Sequence, residues 1–462
     1  MTFELSCAIA WHVTTTVNFM RKILIQLIGD QTLPNILPVL AISPDRIVNI
    51  YTEHTRKKCR KIEEWCKKYG QKYNIHPEFA KLKPIGTSIA DTYNGINAVL
   101  NAEKIHAMSA PDTMLILNMT GGTKAMSTVA IMACLQISKE LEKNGGVPIP
   151  IIYLNPTGGE IEFTTHHSLR EQVLERNVQE VRLSVAEIIE TGGDTVVVNS
   201  GKDWEQVFPA AEKLLQLAEK NICFTVTDVT KDNYVEKTKA PLSELLNTDR
   251  CENKDEAVSA LKCLAALAET DEAVKRGMEL CGFEARDGDF YLGKEAQEKV
   301  AALEHELATT PDMTVQKKDR KRCEMCKELN NLYNFFVGGW WEVIVAQAYK
   351  NANPESEVLW SVETATKNDI QHAVETDIIA SDGHSLCCIS CKRGMHIAKV
   401  TQELEQHCTR TEVLGGMKHS RIIAVYRSDR FRRLKSLLKE LRLTMWNLED
   451  VKAKIALAPD GD

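Results

Sequence analysis

The stretch MLILNMTGGTKAMSTVAIMACLQ, residues 114–136, decides the fold of the first part of the chain. An apolar run passes through two glycines into an amphipathic run, which predicts a buried strand, a tight turn and a helix. Three more apolar runs, KILIQLIG, RIVNIYT and PIIYLNP, alternate with helical stretches between Met20 and about residue 165. Strand–helix alternation of this kind predicts an α/β domain with a parallel sheet and crossover helices.

The turn in that stretch has the chemistry of an anion-binding site. Glycines let the backbone approach a ligand, and the following helix start presents N–H groups and a positive dipole end. Thr120, Thr123 and Lys124 add hydroxyl groups and a cation suited to phosphate. The turn after the first strand, Gly29 to Thr32, should lie along the same sheet edge. Neither turn matches a dinucleotide or Walker fingerprint, and a simple strand-to-helix turn is the alternative.

Composition limits the classes of function. The chain has 462 residues, a net charge of −7 and 14 cysteines. Its length predicts two or three domains, and its charge argues against a protein that coats duplex DNA without specificity. Scattered cysteines predict reduced thiols in the cytoplasm, and no run is long enough to span a membrane. We expect Met20 to be the natural initiator and residues 1–19 to be an upstream extension.

The later parts of the chain predict a helical connector and a second α/β domain. For residues 166–330 we expect mostly helices, with a hairpin or a cover for the first domain near residues 183–200. Two helices, the turn FEARDGDFYLG and a third helix suggest a small winged-helix-like connector. The charged, proline-containing segment ATTPDMTVQKKDRKR predicts a linker into the last domain. From residue 331 to 455, a helix and three strands, then a helix, a strand, a basic helix and a final strand, predict the last domain.

The strands of the last domain carry carboxylates and a lysine at chemically useful spacing. Asp377 lies in the run VETDIIA, and the next strand carries Ser390-Cys391-Lys392. Residues two apart on a strand share a face, so Ser390 points with Lys392 and Glu375 points with Asp377. Glu342 on the preceding helix adds a carboxylate. Carboxylates that hold a divalent cation and a lysine that polarises phosphate or water suit phosphodiester hydrolysis; ordinary surface charge is the alternative.

These motifs resemble a known family. GDQTLPNILPVL and NMTGGTKAM resemble the Rossmann-like CARF domains of CRISPR-associated proteins, over residues 20–165. GGWWE, ETDIIA and SCKRG resemble the PD-(D/E)xK, restriction-endonuclease-like domain of ancillary nucleases from type III systems, over roughly residues 331–450. The resemblance implies a homodimer that binds a cyclic oligoadenylate, usually cyclic tetra-adenylate. Ligand binding would then activate a Mn²⁺- or Mg²⁺-dependent endonuclease that cuts single-stranded RNA, DNA or both in antiviral defence.

The resemblance also assigns site residues. The implied ligand-binding residues are Gly29, Gln31, Thr32, Asn118, Thr120, Gly121, Gly122, Thr123 and Lys124. Asp377 and Lys392 match the catalytic aspartate and lysine, and Glu342 matches the helix glutamate, with Asp377 and Glu342 as metal ligands. One departure stands out: Ser390 occupies the acidic position of the acidic-x-Lys pair. Glu375 or Glu342 could replace that carboxylate.

Other motifs have simpler interpretations. Cys323-x-x-Cys326 and Cys388-x-x-Cys391 have zinc-like spacing but predict buried thiols, and Trp340 and Trp341 predict core packing rather than base stacking. The basic run 430–435 predicts either a nucleic-acid groove or the solvated face of a helix.

Two other functions stay open beside the ligand-activated nuclease. One is a catalytically weak or inactive sensor that binds nucleic acid or a partner, an alternative that Ser390 supports. The other is degradation of the cyclic oligoadenylate in the first domain's own pocket.

Overall fold

The computed structural model describes residues 20–110, 112–155, 159–247, 253–393, 397–412, 414, 419–426 and 435–456. The chain divides into two compact units, one ending at Val181 and the other beginning at Arg182. No helix within the described ranges is long and apolar enough to cross a membrane.

The first unit is built on one sheet. Its elements are β1 (Arg21–Leu27), α1 (Leu33–Ile42), β2 (Arg46–Ile50), α2 (Arg56–Tyr73), β3 (Glu78–Phe79), α3 (Ile89–Ser109), β4 (Thr113–Asn118), α4 (Lys124–Lys143), β5 (Ile151–Asn155), β6 (Glu160–Phe163) and α5 (Arg170–Val173). Over the described residues the strand order is β3-β2-β1-β4-β5-β6. All pairs are parallel except β5 with β6. The predicted parallel α/β domain is therefore confirmed.

Burial explains why the central strands of this unit could be predicted from the sequence. Every residue of β4 is buried, as is all of β1 after Arg21. A strand covered by helices on both faces is apolar throughout rather than alternating. The short β3 and the antiparallel edge strand β6 were not predicted, because two to four residues carry no clear period.

The second unit combines a mixed sheet with many helices. Its elements are α6 (Val185–Gly192), β7 (Thr195–Asn199), α7 (Trp204–Glu219), α8 (Tyr234–Lys237), α9 (Leu242–Leu245), α10 (Lys254–Thr270), α11 (Glu272–Leu280), β8 (Phe283–Arg286), β9 (Asp289–Leu292), α12 (Lys294–Thr309), α13 (Val315–Asn334), α14 (Trp340–Ala352), β10 (Glu357–Thr366), β11 (Asp369–Ser381), β12 (Leu386–Lys392), α15 (Ile397–Glu412), β13 (His419–Val425), α16 (Lys435–Glu440), β14 (Thr444–Asn447) and α17 (Leu448–Ile455). The described strands of the large sheet follow the order β14-β13-β12-β11-β10-β7. The β12–β13 and β13–β14 pairs are parallel, and the others are antiparallel.

Two expectations for the middle of the chain are wrong. Residues 183–200 do not form a hairpin: they fold as helix α6 and strand β7, and β7 pairs with β10 at the edge of the second sheet. The predicted linker at 308–322 is largely helical, because α12 runs to Thr309 and α13 begins at Val315. Thr314 caps α13 by accepting a hydrogen bond from the Lys317 N–H.

The predicted turn between the connector helices is confirmed. Strands β8 and β9 pair as an antiparallel hairpin. Asp287 and Gly288 at its tip have φ values of 54° and 69°. Two successive left-handed residues make the type of turn that Asp-Gly favours in a two-residue hairpin.

The middle helices and the large sheet share one core. Helix α7 packs along α14, and a continuous set of buried residues extends from Trp204 to Val451. Phe336 is fully buried and meets the rings of Phe224, Phe283 and Phe290. The middle segment is thus packed as part of the second unit, while the three-part division by sequence stays a prediction.

A π-helical turn interrupts the helix that was predicted as continuous over residues 331–352. It spans Phe335–Gly339 and separates α13 from α14. The Arg393 guanidinium donates to the carbonyl of Val337 in this turn and to that of Phe224 at 3.2 Å. Such turns insert one residue into a helix and are frequent beside functional sites, and this one ends three residues before Glu342.

We predict that Phe336→Ala lowers the stability of the whole second unit by about 3–5 kcal/mol, as expected for a buried aromatic ring replaced by a cavity. Calorimetry should show one transition, to which both the middle segment and the large sheet contribute, moving to lower temperature. Val315→Ala, at a side chain that is 75% exposed, is the control and should change stability by no more than about 0.5 kcal/mol. Separate melting of residues 204–334 in the wild type would contradict the shared core.

Candidate functional site

Asp377, Ser390 and Lys392 come together on two neighbouring strands. Asp377 lies on β11 and the other two on β12, with Ile378 paired to Ile389. The Oδ2 atom of Asp377 accepts hydrogen bonds from the Cys391 N–H at 2.6 Å and from the Ser390 hydroxyl at 3.3 Å. All three predicted residues line a cavity of about 260 Å³. The strand periodicity read from the sequence therefore places them correctly relative to one another.

Helix α15 forms the other wall of this cavity with residues that the sequence analysis missed. They are Glu403, Gln406, His407 and Arg410. Glu403, His407 and Arg410 are spaced i, i+4 and i+7, which puts them on one face of a helix. The Lys392 Nζ atom lies 3.6 Å from a Glu403 carboxylate oxygen. The sequence did contain a signal for this wall: polar residues at helical spacing on α15, the helix that follows the strand with Lys392.

His407 is a buried imidazole in that wall. The backbone carbonyl of Cys388 is its hydrogen-bond partner, and among the described residues its Nε2 atom has none. Burial lowers the pKa of His407 to about 4, and the nearby cations Lys392, Arg421 and Arg410 act in the same direction. His407 is therefore a neutral side chain that presents a nitrogen lone pair.

Glu342 is the most strongly perturbed acid of the site. Burial raises its pKa to about 8, and the charges of Asp377 and Glu375 add to the shift. The Trp360 indole N–H donates to Glu342 Oε2 at 2.8 Å, and this hydrogen bond acts to lower the pKa of Glu342. Burial likewise raises the pKa of Asp377, against the effect of Lys392. Neighbouring carboxylates whose charges disfavour each other are typical of functional sites.

Glu375 also lines the cavity but is more exposed than Asp377. Its Oε1 atom accepts a hydrogen bond from the Ser361 hydroxyl at 2.5 Å. Ser361 has a φ of 58°, in the left-handed region. Ser361 lies across from Asp377 in the β10–β11 register, between the Trp360–Ile378 and Val362–Thr376 pairs.

The donor set fits a divalent cation in part. Within the described ranges, no three His, Cys, Asp or Glu side chains converge closely enough to hold a metal ion. Asp377 and Glu342, however, are acids with raised pKa values, and the charge of one acts on the other. A bound cation relieves such repulsion, and Mg²⁺ is commonly held by one or two carboxylates with water and substrate phosphate. The residues therefore suit a two-carboxylate site rather than a closed cage.

Three thiols lie inside β12. Cys387, Cys388 and Cys391 are all buried, and burial raises the pKa of each. The prediction of buried thiols is confirmed for Cys326, Cys388 and Cys391, while Cys323 is exposed on α13.

The two glycine-containing turns of the first unit meet at one sheet edge, as predicted. Strands β1 and β4 are parallel neighbours, so their carboxyl ends lie side by side. A Cβ atom on Gly29 would be 2.9 Å from the Gly122 nitrogen, and one on Gly121 would be 2.0 Å from the Leu27 carbonyl oxygen. Gly122 has a φ of 79°. Only glycine allows both this backbone conformation and this approach.

Several predicted ligand residues hold the turn together. Asn118 is buried, and its side-chain oxygen accepts from both the N–H and the hydroxyl of Thr120. The Thr120 hydroxyl accepts from the Leu154 N–H at 2.7 Å. Thr123 caps α4 by accepting from the Met126 N–H. Thr32 is also buried.

The exposed residues of the two turns are Asp30, Gln31, Thr123 and Lys124, and the Asp30 carboxylate lies 3.4 Å from the His54 imidazole. The exposed surface of the two turns is therefore polar and carries charges of both signs. Ligand contact by Gln31, Thr123 or Lys124 stays a prediction.

The remaining motifs have structural explanations or lie outside the described residues. Trp340 and Trp341 are buried, and the Trp341 indole donates to the Ala424 carbonyl, so the core interpretation is confirmed. Most of the basic run at 430–435 lies outside the described residues.

Fold and site together define a two-unit α/β protein, with a Rossmann-like domain and a mixed-sheet domain that carries carboxylates and a lysine. Residues 23–187 match the family model of the Card1 CARF domain. This part of the chain is therefore similar to a CARF domain, which confirms the resemblance to CARF domains seen in its sequence.

Solved structures share the fold along nearly the whole chain. Protein VC1899 from Vibrio cholerae aligns with a TM-score of 0.55 at 14% identity, covering 94% of this chain and 96% of that one. Can2 from Sulfobacillus thermosulfidooxidans, solved with cyclic tetra-adenylate, aligns with a TM-score of 0.52 at 15% identity, covering 95% and 98%. A search of curated protein sequences found no match.

We predict that Glu342→Gln stabilises the metal-free protein more at pH 8.5 than at pH 5. Because the folded state raises the pKa of Glu342 to about 8, the unfolded chain loses this proton first, and stability falls as the pH rises from the ordinary glutamate pKa towards 8. Glutamine removes that loss, which is on the order of 2 kcal/mol or more. Urea unfolding in EDTA at both pH values measures the difference in unfolding free energy between the variant and the wild type. Glu355→Gln, at an exposed site, is the control, and an equal effect of Glu342→Gln at both pH values would contradict the buried acid.

Proposed function

We propose that this protein is an endonuclease that a cyclic oligoadenylate activates, cyclic tetra-adenylate being the first candidate. The substrate would be single-stranded RNA, DNA or both, and the setting would be type III CRISPR antiviral defence in the cytoplasm. The proposal combines the CARF domain at residues 23–187 with the acidic, lysine-containing cavity of the second unit.

One observation carries the catalytic part of the proposal. Asp377 and Lys392 face the same cavity from adjacent strands, and the charge of Asp377 raises the pKa of Glu342. A structural ion pair would satisfy these groups. Here burial opposes the charge on both acids instead, so the site suits the positive charge of a bound metal ion.

Each residue has a defined role in this proposal. Asp377 and Glu342 would hold Mn²⁺ or Mg²⁺, which when bound polarises the scissile phosphate and lowers the pKa of the attacking water. Lys392 would stabilise the charge that develops on the phosphate oxygens. The Ser390 hydroxyl orients Asp377, and Glu375 lies at the more exposed side of the cavity.

The sensor part of the proposal depends on the paired turns of the first unit. Backbone N–H groups at the start of α4 and the exposed Lys124 suit the phosphates of a cyclic oligoadenylate. Gln31 and Thr123 are exposed beside them. Gly29, Gly121 and Gly122 would give the ligand its close approach, while Thr32, Asn118 and Thr120 would keep the turns in place. Can2, which has the same fold, was solved with cyclic tetra-adenylate.

An apolar surface on the first unit supports a homodimer. Helices α3 and α4 pack against each other. They expose Tyr93, Ile105 and Met132, with exposed fractions of 56%, 65% and 66%. Large apolar side chains that stay exposed on two packed helices favour an association surface there.

A second candidate is a sensor with little or no catalysis. Ser390 replaces an acidic residue, and within the described ranges no three metal-binding side chains converge. In this case ligand binding to the CARF domain would control a partner or nucleic acid rather than cleavage.

We predict that cleavage of labelled single-stranded RNA or DNA requires Mn²⁺, cyclic tetra-adenylate and Lys392 together. Lys392→Ala should lower the cleavage rate by roughly 100-fold or more, because it removes charge stabilisation in the transition state. Lys124→Ala should instead raise the ligand concentration needed for half-maximal activity and leave the maximal rate unchanged. The exposed Lys317 provides the control variant Lys317→Ala. Ligand binding without cleavage in any metal would favour the sensor without catalysis.

We also predict that the protein sediments as a dimer and that Ile105→Glu with Met132→Glu shifts it to the monomer. Two buried charges at the centre of an interface cost several kcal/mol of association energy. Sedimentation velocity over a range of concentrations measures this. Leu280→Glu, at an exposed leucine of the second unit, should leave the dimer intact, and a monomeric wild type would refute the α3–α4 interface.

A further inference from the structure

Trp360 connects the two carboxylate-bearing elements of the site. It lies on β10, pairs with Ile378 next to Asp377, and is almost completely buried. Its indole N–H donates to Glu342 Oε2 at 2.8 Å. Because Glu342 is on α14, this hydrogen bond ties the helix carboxylate to the strand that borders Asp377.

The main chain of Trp360 is held by the segment that follows β7. The Lys202 N–H donates to the Trp360 carbonyl at 3.0 Å, and Lys202 Nζ lies 5.5 Å from the centre of the Trp360 ring. Gly201 has a φ of 88°, and a Cβ atom there would be 2.1 Å from the Trp360 carbonyl oxygen. The approach is thus possible only with glycine at this position.

The residue after Trp360 is strained. Ser361 has a φ of 58° within a strand, a conformation that costs a non-glycine residue about 1–3 kcal/mol. Its hydroxyl donates to Glu375. Trp360 and Ser361 therefore each bind one acid of the site, and the local backbone departs from regular strand geometry at that point.

We propose that Trp360 is a positioning residue that orients the Glu342 carboxylate for metal binding, and that Gly201 and Lys202 hold Trp360 in place. This inference rests on the proposed metal-dependent function. It gives the segment after the edge strand β7 a direct influence on the site: a shift of Gly201 and Lys202 moves Trp360, and Trp360 moves Glu342. In sequence, β7 begins shortly after Val181, where the CARF unit ends.

The first test is Mn²⁺ affinity of the full chain, measured by the loss of the free Mn²⁺ electron paramagnetic resonance signal. Trp360→Phe keeps a ring in the core but removes the hydrogen bond to Glu342, and should weaken Mn²⁺ binding by about 10–100-fold, the usual effect of losing a group that orients a metal ligand. Trp204→Phe is the matched control. Trp204 is also buried and donates its indole N–H to the same strand, but to the Val358 carbonyl, so Mn²⁺ binding should remain within about threefold of the wild type.

The second test changes the contact without changing Trp360. Gly201→Ala should push on the Trp360 carbonyl and produce the same loss of Mn²⁺ affinity. The double variant with Trp360→Phe should then be no weaker than the more affected single variant, because both act through one contact. Gly338→Ala, where an added Cβ has no atom within 4 Å, is the control.

Cleavage kinetics separate positioning from damage to the fold. In Trp360→Phe, the Mn²⁺ concentration for half-maximal cleavage should rise while the rate at saturating Mn²⁺ and the affinity for cyclic tetra-adenylate remain near wild type. A wild type that binds Mn²⁺ and a Trp360→Phe variant that binds it equally well would overturn this inference alone. A wild type that binds no Mn²⁺ would overturn the inference together with the metal-dependent function.

Discussion

The burial of the Glu342 carboxylate is the constraint on which the second unit depends. A buried negative charge costs several kcal/mol unless a proton, a hydrogen bond or a cation compensates it. Here Asp377 adds a second negative charge; Lys392 favours the charged form of both acids, and the Trp360 indole favours that of Glu342. The four elements that carry these groups must keep their positions for the charges to balance. The positions of α14, β10, β11 and β12 are thus coupled by electrostatics as well as by packing.

The first unit depends on a different constraint, the close approach of two turns. Gly29, Gly121 and Gly122 leave no room for side chains between the ends of β1 and β4. Asn118 then supplies the hydrogen bonds that side-chain packing cannot, since its amide donates to Gln26 and to the Pro34 carbonyl while its oxygen accepts from Thr120. A ligand surface made largely of backbone needs this kind of buried polar support.

The sequence could predict features that depend on local pattern. The parallel strands were visible because both faces are covered, and Asp377 and Lys392 were placed by the two-residue period of strands. The pairing of β7 with β10 was not visible, since TVVVN fits a hairpin arm as well as an edge strand. Helix α13 was hidden because few of its residues are buried, Cys326, Leu329 and Tyr333. His407 and Trp360 were missed because their importance comes from tertiary neighbours, which no local spacing shows.

The thiols of β12 have a consequence for how the second sheet can be followed in solution. Cys387, Cys388 and Cys391 lie on the strand that carries Ser390 and Lys392, and the Cys391 N–H is itself a partner of Asp377. Alkylating reagents need a thiolate that solvent can reach, and the closed sheet provides neither the charge nor the access. Modification of these cysteines is therefore limited by how often β12 separates from its neighbours. Mass spectrometry of the alkylated cysteines would therefore report the rate at which the strand that carries Ser390 and Lys392 opens.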